Sequence, residues 1–568
     1  MSNVNIIIPI YKKSFDLVKK LIASLQDQDL LPKSVTCVCD GDAKTFKQLQ
    51  KEYFKNGTST TAFPLFLELL KENKGASFAR NYGAKISGES LSPTGKKSLC
   101  AEYLFFIDAD CKLNPGMLNE MASQLDDGYD VVYGNYTQGY NKAPFVSIPF
   151  CSYQLKSEPY ISTMSMVRRS SFNEVKGFNI DLQFFQDYDL WYRISKTGAK
   201  FKYINDTIFH TEYPQDGDIS SIPKTLSDKA KVFRQANNLP DKTIVVASHG
   251  APYQALQRAK MLNADYVRPS QIQNLNYENW KATYMVGLYN QSVPMFKSHV
   301  DIMVGKKIFH LIGTDVSHFI TENTIHIVDA YIQRLESENA ILFANSPRLV
   351  REMHRCGFKD TTLLYTPIYQ IEKYKSINPL PKTFTIGVYF TDSNPFTMLN
   401  PACDTSHQPL IMEVAKMLPH INFKFFGGTD KYTHKSLGTN FPENIEFCGR
   451  IAEDNMVEFI NSCSAIIRST SHDGFPQSPI HFMLCGRQAI VSCPDEEMKY
   501  AIKLKKEKVN IKNQTDADET KEDMLRCIKQ AYDNPDCLLN KTEEIRDYYK
   551  NLMCQKTYVD TIYGCIDE

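Results

Sequence analysis

Residues 101–117, AEYLFFIDADCKLNPGM, decide how the chain is read. Leu104 to Ile107 is a short apolar run of the kind that forms a buried strand, and it stops at Asp108 and Asp110 before Asn114-Pro115-Gly116 turns the chain. Positions i and i+2 of an extended chain point the same way, so the two carboxylates face a common point. A hard cation such as Mg²⁺ or Mn²⁺ is typically held by one or two carboxylates and takes its other ligands from substrate phosphates and water. The stretch predicts a metal-diphosphate site at a strand's end. A solvated Asp-x-Asp loop is the plain alternative, and the surrounding segments decide between the two.

On the amino-terminal side, Val4 to Pro9 reads as a strand, Phe15 to Gln28 as an amphipathic helix with Leu17, Leu21 and Leu25 on one face, and Ser34 to Cys39 as a second strand ending at Asp40-Gly41-Asp42. Asn73 to Gly83 is a glycine-led helix start carrying Arg80 and Asn81. On the carboxyl side come a strand at Asp130 to Tyr133, a helix opened by Phe184 to Arg193 with Asp187 near its start, and a strand from Lys202 to Phe209 before His210. Alternating strands and helices predict an α/β domain with a mainly parallel sheet and ligands at the strands' carboxyl ends. Asp40, Asp108 and Asp110 all fall at that edge.

The chain has 568 residues, enough for about four domains at roughly 150 residues each. Its formal net charge is zero, which gives no electrostatic reason to expect a nucleic-acid or anionic-membrane partner. The start, MSNVNIIIPIYKK, has too short an apolar run for a signal peptide, and no later run reaches transmembrane length. Fifteen cysteines without paired zinc-type spacing, two of them at 37 and 39 in a predicted buried strand, suit free thiols in a cytoplasmic protein.

In this order, Pro9-Ile10-Tyr11, Asp40-Gly41, Lys74-Gly75 with Ala79-Arg80-Asn81, Asp108-Ala109-Asp110, Gly177-Phe178 and Gln186-Asp187-Tyr188-Asp189-Leu190 with Arg193 resemble the GT-A fold of family 2 nucleotide-sugar glycosyltransferases, over about residues 3–215. The resemblance implies that Pro9, Tyr11, Asp40, Lys74, Arg80 and Asp108 line the donor site, with a UDP-sugar as the expected donor. It further implies that Asp108, Asp110 and His210 bind Mn²⁺ or Mg²⁺ and that Asp187 is the general base of an inverting displacement. Two positions depart from the family: Gln186 stands where it usually has Glu, and Cys39-Asp40 where it has a double Asp. By themselves, Asp187 also suits a helix N-terminus and His210 a satisfied strand-end histidine.

A connector rich in Pro, Asp and Ser spans Thr211 to Asp241, with a helix near Leu226 to Ala236. Strand-helix alternation restarts at Thr243 and again at Thr383, after the Pro379-Leu380-Pro381 hinge, so two further Rossmann-like lobes are expected. In the second lobe, Ala465 to Arg468 leads into Ser469-Thr470-Ser471-His472-Asp473-Gly474-Phe475-Pro476-Gln477-Ser478. This is similar to the carboxyl lobe of family 4 GT-B glycosyltransferases, which implies a retaining, metal-free site. Asp473 and His481 would take the two acidic positions, and Arg450, Arg468, Gly474, Phe475, Pro476 and Ser478 would bind the donor. The family has Glu where this chain has His481, and its basic pair after the lobe's first strand is missing. Lys499 to Lys512 reads as a solvated helix face and the tail from Thr520 as helical.

The sequence therefore predicts a GT-A domain (1–235) followed by GT-B lobes at 240–378 and 379–568, a bifunctional glycosyltransferase acting on a glycan, lipid-linked glycan, protein or modified nucleic-acid base. A single active GT-A enzyme with a non-catalytic GT-B half is the alternative.

Overall fold

The structure, a computed structural model, describes residues 3–567 except 90–98, 213–224, 249–250, 289–292, 314–315, 317–324, 377–378, 390–406, 428–441, 450, 453–454, 471–473, 493–495 and 506–513. It divides into two compact units. The first is Met1–Lys242 with Asp265–Asn279, and the second is Thr243–Ala264 with Trp280–Glu568.

In the first unit a mixed sheet runs in the order Leu65–Leu70, Ser34–Asp40, Val4–Ile10, Tyr103–Phe106, Met166–Arg168, Val131–Gln138, Phe201–Thr211, Cys111–Leu113. The first four strands are parallel. Met166–Arg168 is antiparallel to both neighbours. Both faces of the centre are buried, as the apolar runs require: Ile6, Ile8, Tyr103 and Phe105 enter one core, and Ile7, Leu104 and Phe106 enter the other. The first core is closed by helix Phe15–Gln26, which buries Leu17, Leu21 and Leu25. After the acidic pair the chain leaves the sheet centre and returns at its far edge, where Leu113, Lys112 and Cys111 pair with Phe209, His210 and Thr211. That excursion brings the region of Asp110 beside the strand carrying His210.

The second unit has two parallel sheets, consistent with the expected pair of Rossmann-like lobes. One contains Ile244–Ser248, Ala282–Val286, Lys306–Leu311, Ile341–Ala344 and Thr362–Leu363 in that order. The other is ordered Ile445–Gly449, Asn422–Phe426, Thr385–Tyr389, Ala465–Arg468, Gln488–Val491, Ile502–Lys503. The last pairing corrects the reading of Lys499 to Lys512 as a helix face in its first part, because Ile502 and Lys503 pair with Ile490 and Val491 as a sheet edge, and residues 506–512 lie outside the described residues. Tertiary pairing overrides the polar, lysine-rich pattern there. The final helix, Gln555–Asp567, is tied to the first lobe by Tyr558 Oη to Tyr284 Oη (2.8 Å) and by Tyr563 Oη donating to Leu262 O (2.7 Å).

Candidate functional site

Three elements of the first unit meet at Arg80. Helix Ala76–Glu89 carries it, strand Tyr103–Phe106 leads to Asp108, and helix Gln186–Ser195 begins with Gln186 and Asp187. Arg80 Nη2 donates to Asp108 Oδ1 at 2.7 Å, and Nη1 donates to Gln186 Oε1 at 3.2 Å. The guanidinium lies over the Phe178 ring, 5.3 Å from its centroid. The Arg80 side chain is only 7% exposed, whereas Asp108 keeps 35% and so remains open to a ligand.

Asp110 is more enclosed. Its Oδ2 accepts from Lys13 Nζ at 2.7 Å, in a pair 11% and 14% exposed. Burial pushes its carboxyl above the usual range, the charge of Asp108 adds to the rise, and Lys13 opposes it. Asp40 is buried and accepts from the amides of Lys74 and Gly75, each at 2.8 Å, which fixes the loop ahead of the Arg80 helix. Burial raises this carboxyl as well, against those two amides. Pro9 pairs with Val38 in the sheet, Tyr11 follows the end of that strand, and Lys74 lies over Phe78. Asp40, Lys74, Arg80, Asp108 and Asp110 are thus linked through one edge of the sheet.

Asp187 sits half-buried in the first turn of its helix. Thr163 Oγ1 donates to its Oδ2 and the Tyr188 N–H to its Oδ1, both at 2.9 Å. Burial raises its carboxyl pKa, while Thr163, the Tyr188 amide and the charge of Arg80 hold the rise back. If Asp187 acts as a base, Thr163→Val, which removes a donor to its charged form, should move the acid limb of kcat/KM to higher pH, activity being lost as pH falls through the raised pKa. A pH-rate profile checks this.

The same helix is anchored by Arg193, which donates to Asp189 Oδ2 (2.6 Å), Val175 O (2.6 Å) and Gly177 O (2.8 Å). Asn81 clamps the neighbouring residue, donating to Phe178 O and accepting from Phe178 N. Gly177 has φ +72°, and a Cβ there would stand 2.5 Å from Asn81 Oδ1 and 2.9 Å from Phe172 Cζ. Gly177→Ala should therefore cost about 1–3 kcal/mol, read as a lowered Tm.

His210 Nδ1 is 3.0 Å from Thr137 Oγ1. Among the described residues no three His, Cys, Asp or Glu side chains form a group that could hold a metal. Asp108 and Asp110 nevertheless suit a hard divalent ion of the kind completed by diphosphate and water, since both offer carboxylate oxygens at one strand end.

In the second unit Arg450 and Asp473 lie outside the described residues. Gly474 packs so tightly that a Cβ would stand 2.0 Å from Ile312 O and 2.7 Å from Asn345 Oδ1. Phe475 N donates to that Asn345 oxygen at 3.3 Å. Pro476 caps helix Gln477–Leu484, where the Ser478 hydroxyl is buried. Arg468 lies over the Tyr389 ring. His481 is buried and stacked on Tyr374 at 4.2 Å, and burial, with Lys373 adding, pushes it down to about 3. It is a neutral imidazole at physiological pH.

Sequence reasoning missed Lys13, Thr163 and the Arg80–Gln186 link. The basic pair after the first strand was the signal available for Lys13; Thr163 lies in an irregular segment and offered none.

The mixed sheet with its acidic edge has the arrangement expected of a GT-A fold. Residues 5–175 match the glycosyl transferase family 2 profile. The match spans the segments carrying Asp40, Arg80, Asp108 and Asp110. Among solved structures the chain is similar to TarM (13% identity, 50% of this chain and 55% of that one, TM-score 0.35) and to TarS of S. aureus (14%, 63% and 53%, 0.30). It is also similar to a sucrose-phosphate synthase from Thermosynechococcus elongatus (10%, 57% and 98%, 0.42). The chain spans about half the length of the first two. No curated protein sequence matches it. No described helix is long and apolar enough to cross a membrane.

Proposed function

We propose that the first unit transfers a sugar from a nucleotide donor, a UDP-sugar in the first instance, to a hydroxyl acceptor with inversion, using Mn²⁺ or Mg²⁺. The observation that carries this is the convergence of Asp108 and the first turn of the Asp187 helix on one buried arginine. Asp187 takes the acceptor's proton as the new bond forms at the anomeric carbon, and Thr163 orients that carboxylate. Arg80 lies beside the departing diphosphate, and Asp40 supports this region through the Lys74-Gly75 loop. When bound at Asp108 and Asp110, with His210 nearby, the cation supplies charge to stabilise the leaving group. The buried thiols of Cys37, Cys39 and Cys111 support a reducing, cytoplasmic setting.

We further propose that the second unit is a metal-free, retaining transferase using the loop at Gly474 to Ser478, which makes the chain bifunctional. The state of His481 favours a second reading. A buried neutral imidazole stacked on Tyr374 does not replace a carboxylate, so this module then binds acceptor without turnover. Product formation from a panel of nucleotide sugars, with and without EDTA, tests both. Loss of all activity in EDTA supports one active site, and an EDTA-resistant remainder supports two. No turnover of any nucleotide sugar under either condition contradicts the proposal.

A further inference from the structure

We infer that Arg268, with Asp265 beside it, is a positioning residue for Asp187, acting through the irregular segment 146–163 that presents Thr163 to that carboxylate. The inference rests on the reading of Asp187 as the base of the first unit.

Secondary structure does not fix the course of this segment, whose regular part is a single short turn, Gln154–Lys156. Side chains from the downstream stretch Asp265–Asn279 of the same unit hold it instead. Glu158 is fully buried, and a buried charge is tolerated when it is paired and hydrogen-bonded. It accepts from Arg268 Nε, from Arg268 N at 2.9 Å and from Gln154 Nε2 at 2.9 Å. The same guanidinium donates through Nη1 to Val146 O at 2.8 Å, so one side chain grips the segment at two places. Ser157 Oγ donates to Asp265 Oδ1 at 3.1 Å, and Arg234 holds Asp265 at 3.3 Å. Ser147 Oγ donates to Tyr160 O at 2.6 Å and closes the segment on itself.

Beyond Tyr160 the chain runs to the base. The Ser162 carbonyl accepts from Trp191 Nε1 at 3.1 Å, on the Asp187 helix, and Thr163 Oγ1 donates to Asp187 Oδ2 at 2.9 Å. The segment is thus pinned by Arg268 on one side and by the Asp187 helix on the other. Arg80, on helix Ala76–Glu89, and Tyr136, on strand Val131–Gln138, also face Asp187 through their charge or dipole, and neither belongs to this segment. A change at Arg268 therefore reaches the base through Thr163. With Thr163 displaced, the charged carboxylate loses a donor and its orientation.

The test is the pH-rate profile of full-length protein, read as release of UDP from the UDP-sugar that turns over fastest, for Arg268→Met, Thr163→Val and the double variant. Arg268→Met should lower kcat about tenfold, leave donor KM within about twofold and move the acid limb of kcat/KM to higher pH, as Thr163→Val does. Both act through one hydrogen bond, so the double variant should move the limb no further than the larger single change. Arg268→Lys, which can keep an ion pair with Glu158, should restore most of the wild-type profile. Melting curves accompany each variant, and if Arg268→Met does not fold, Ser157→Ala, which removes the link to Asp265, carries the same expectations at smaller size. A fall in kcat with the acid limb unmoved, or additive shifts in the double variant, marks a merely structural arginine and overturns the proposal. If no UDP-sugar turns over, or if Thr163→Val leaves the profile unmoved, the reading of Asp187 fails and the inference falls with it. If Thr163→Val moves the limb and Arg268→Met matches the wild type, only the role of Arg268 is rejected.

Discussion

Asp187→Asn should lower kcat by a hundredfold or more while leaving donor affinity within about twofold. The amide has the same shape and still accepts one of the two hydrogen bonds now made by Thr163 Oγ1 and Tyr188 N, so the helix start should hold. It cannot take the acceptor's proton. A hundredfold corresponds to about 2.7 kcal/mol of transition-state stabilisation, within the usual contribution of a positioned base. Steady-state kinetics with a donor titration separates the effects. An unchanged kcat would reassign Asp187 to capping its helix, and a loss confined to KM would make it a binding group.

Asp110→Ala should abolish metal-dependent binding of a nucleoside diphosphate, weakening UDP affinity in Mn²⁺ by about a hundredfold or more. Few protein oxygens serve an ion of this kind, so removing one leaves little to hold it. The substitution also removes a 2.7 Å ion pair with Lys13 without dismantling the sheet, because Asp110 lies beyond the strand Tyr103–Phe106. Calorimetric titration with UDP and Mn²⁺ measures the affinity, and a melting curve confirms the fold. Unaltered UDP affinity would remove Asp110 from the donor site.

How far these residues were readable from sequence depended on how local their signals are. Leu104 to Phe106 announces a buried strand because both its faces are apolar, and helix Leu226–Ala236 is marked by the Thr225 and Asp228 that close its first turn. The segment Asp265–Asn279 gave no such mark. It belongs to the first unit through long-range pairs, Arg234 with Asp265 at 3.3 Å and Arg268 with Glu158, whose members are 31 and 110 residues apart. Strand Met166–Arg168 was missed for the same reason, being three residues long and held in place by its neighbours' edges.

At the site, residue types gave the acids but not their partners. The Asp-x-Asp spacing pointed to Asp108 and Asp110, yet Lys13 is 97 residues from Asp110 and Thr163 is 24 from Asp187. In the second unit the glycine-rich loop was legible, and the crowding around Gly474 gives the physical reason for that glycine. The environment of His481 was not legible, since a histidine in an amphipathic helix reads alike whether its ring faces water or Tyr374.

The most direct test of the central claim is the anomeric configuration of the product formed by the metal-dependent activity, read by proton NMR from the coupling constant of the new glycosidic linkage. Transfer by Asp187 in one displacement from an α-linked nucleotide sugar predicts a β-linked product, present with Mn²⁺ and lost in EDTA. An α-linked product from the EDTA-sensitive reaction would contradict it, because a single displacement inverts the anomeric carbon.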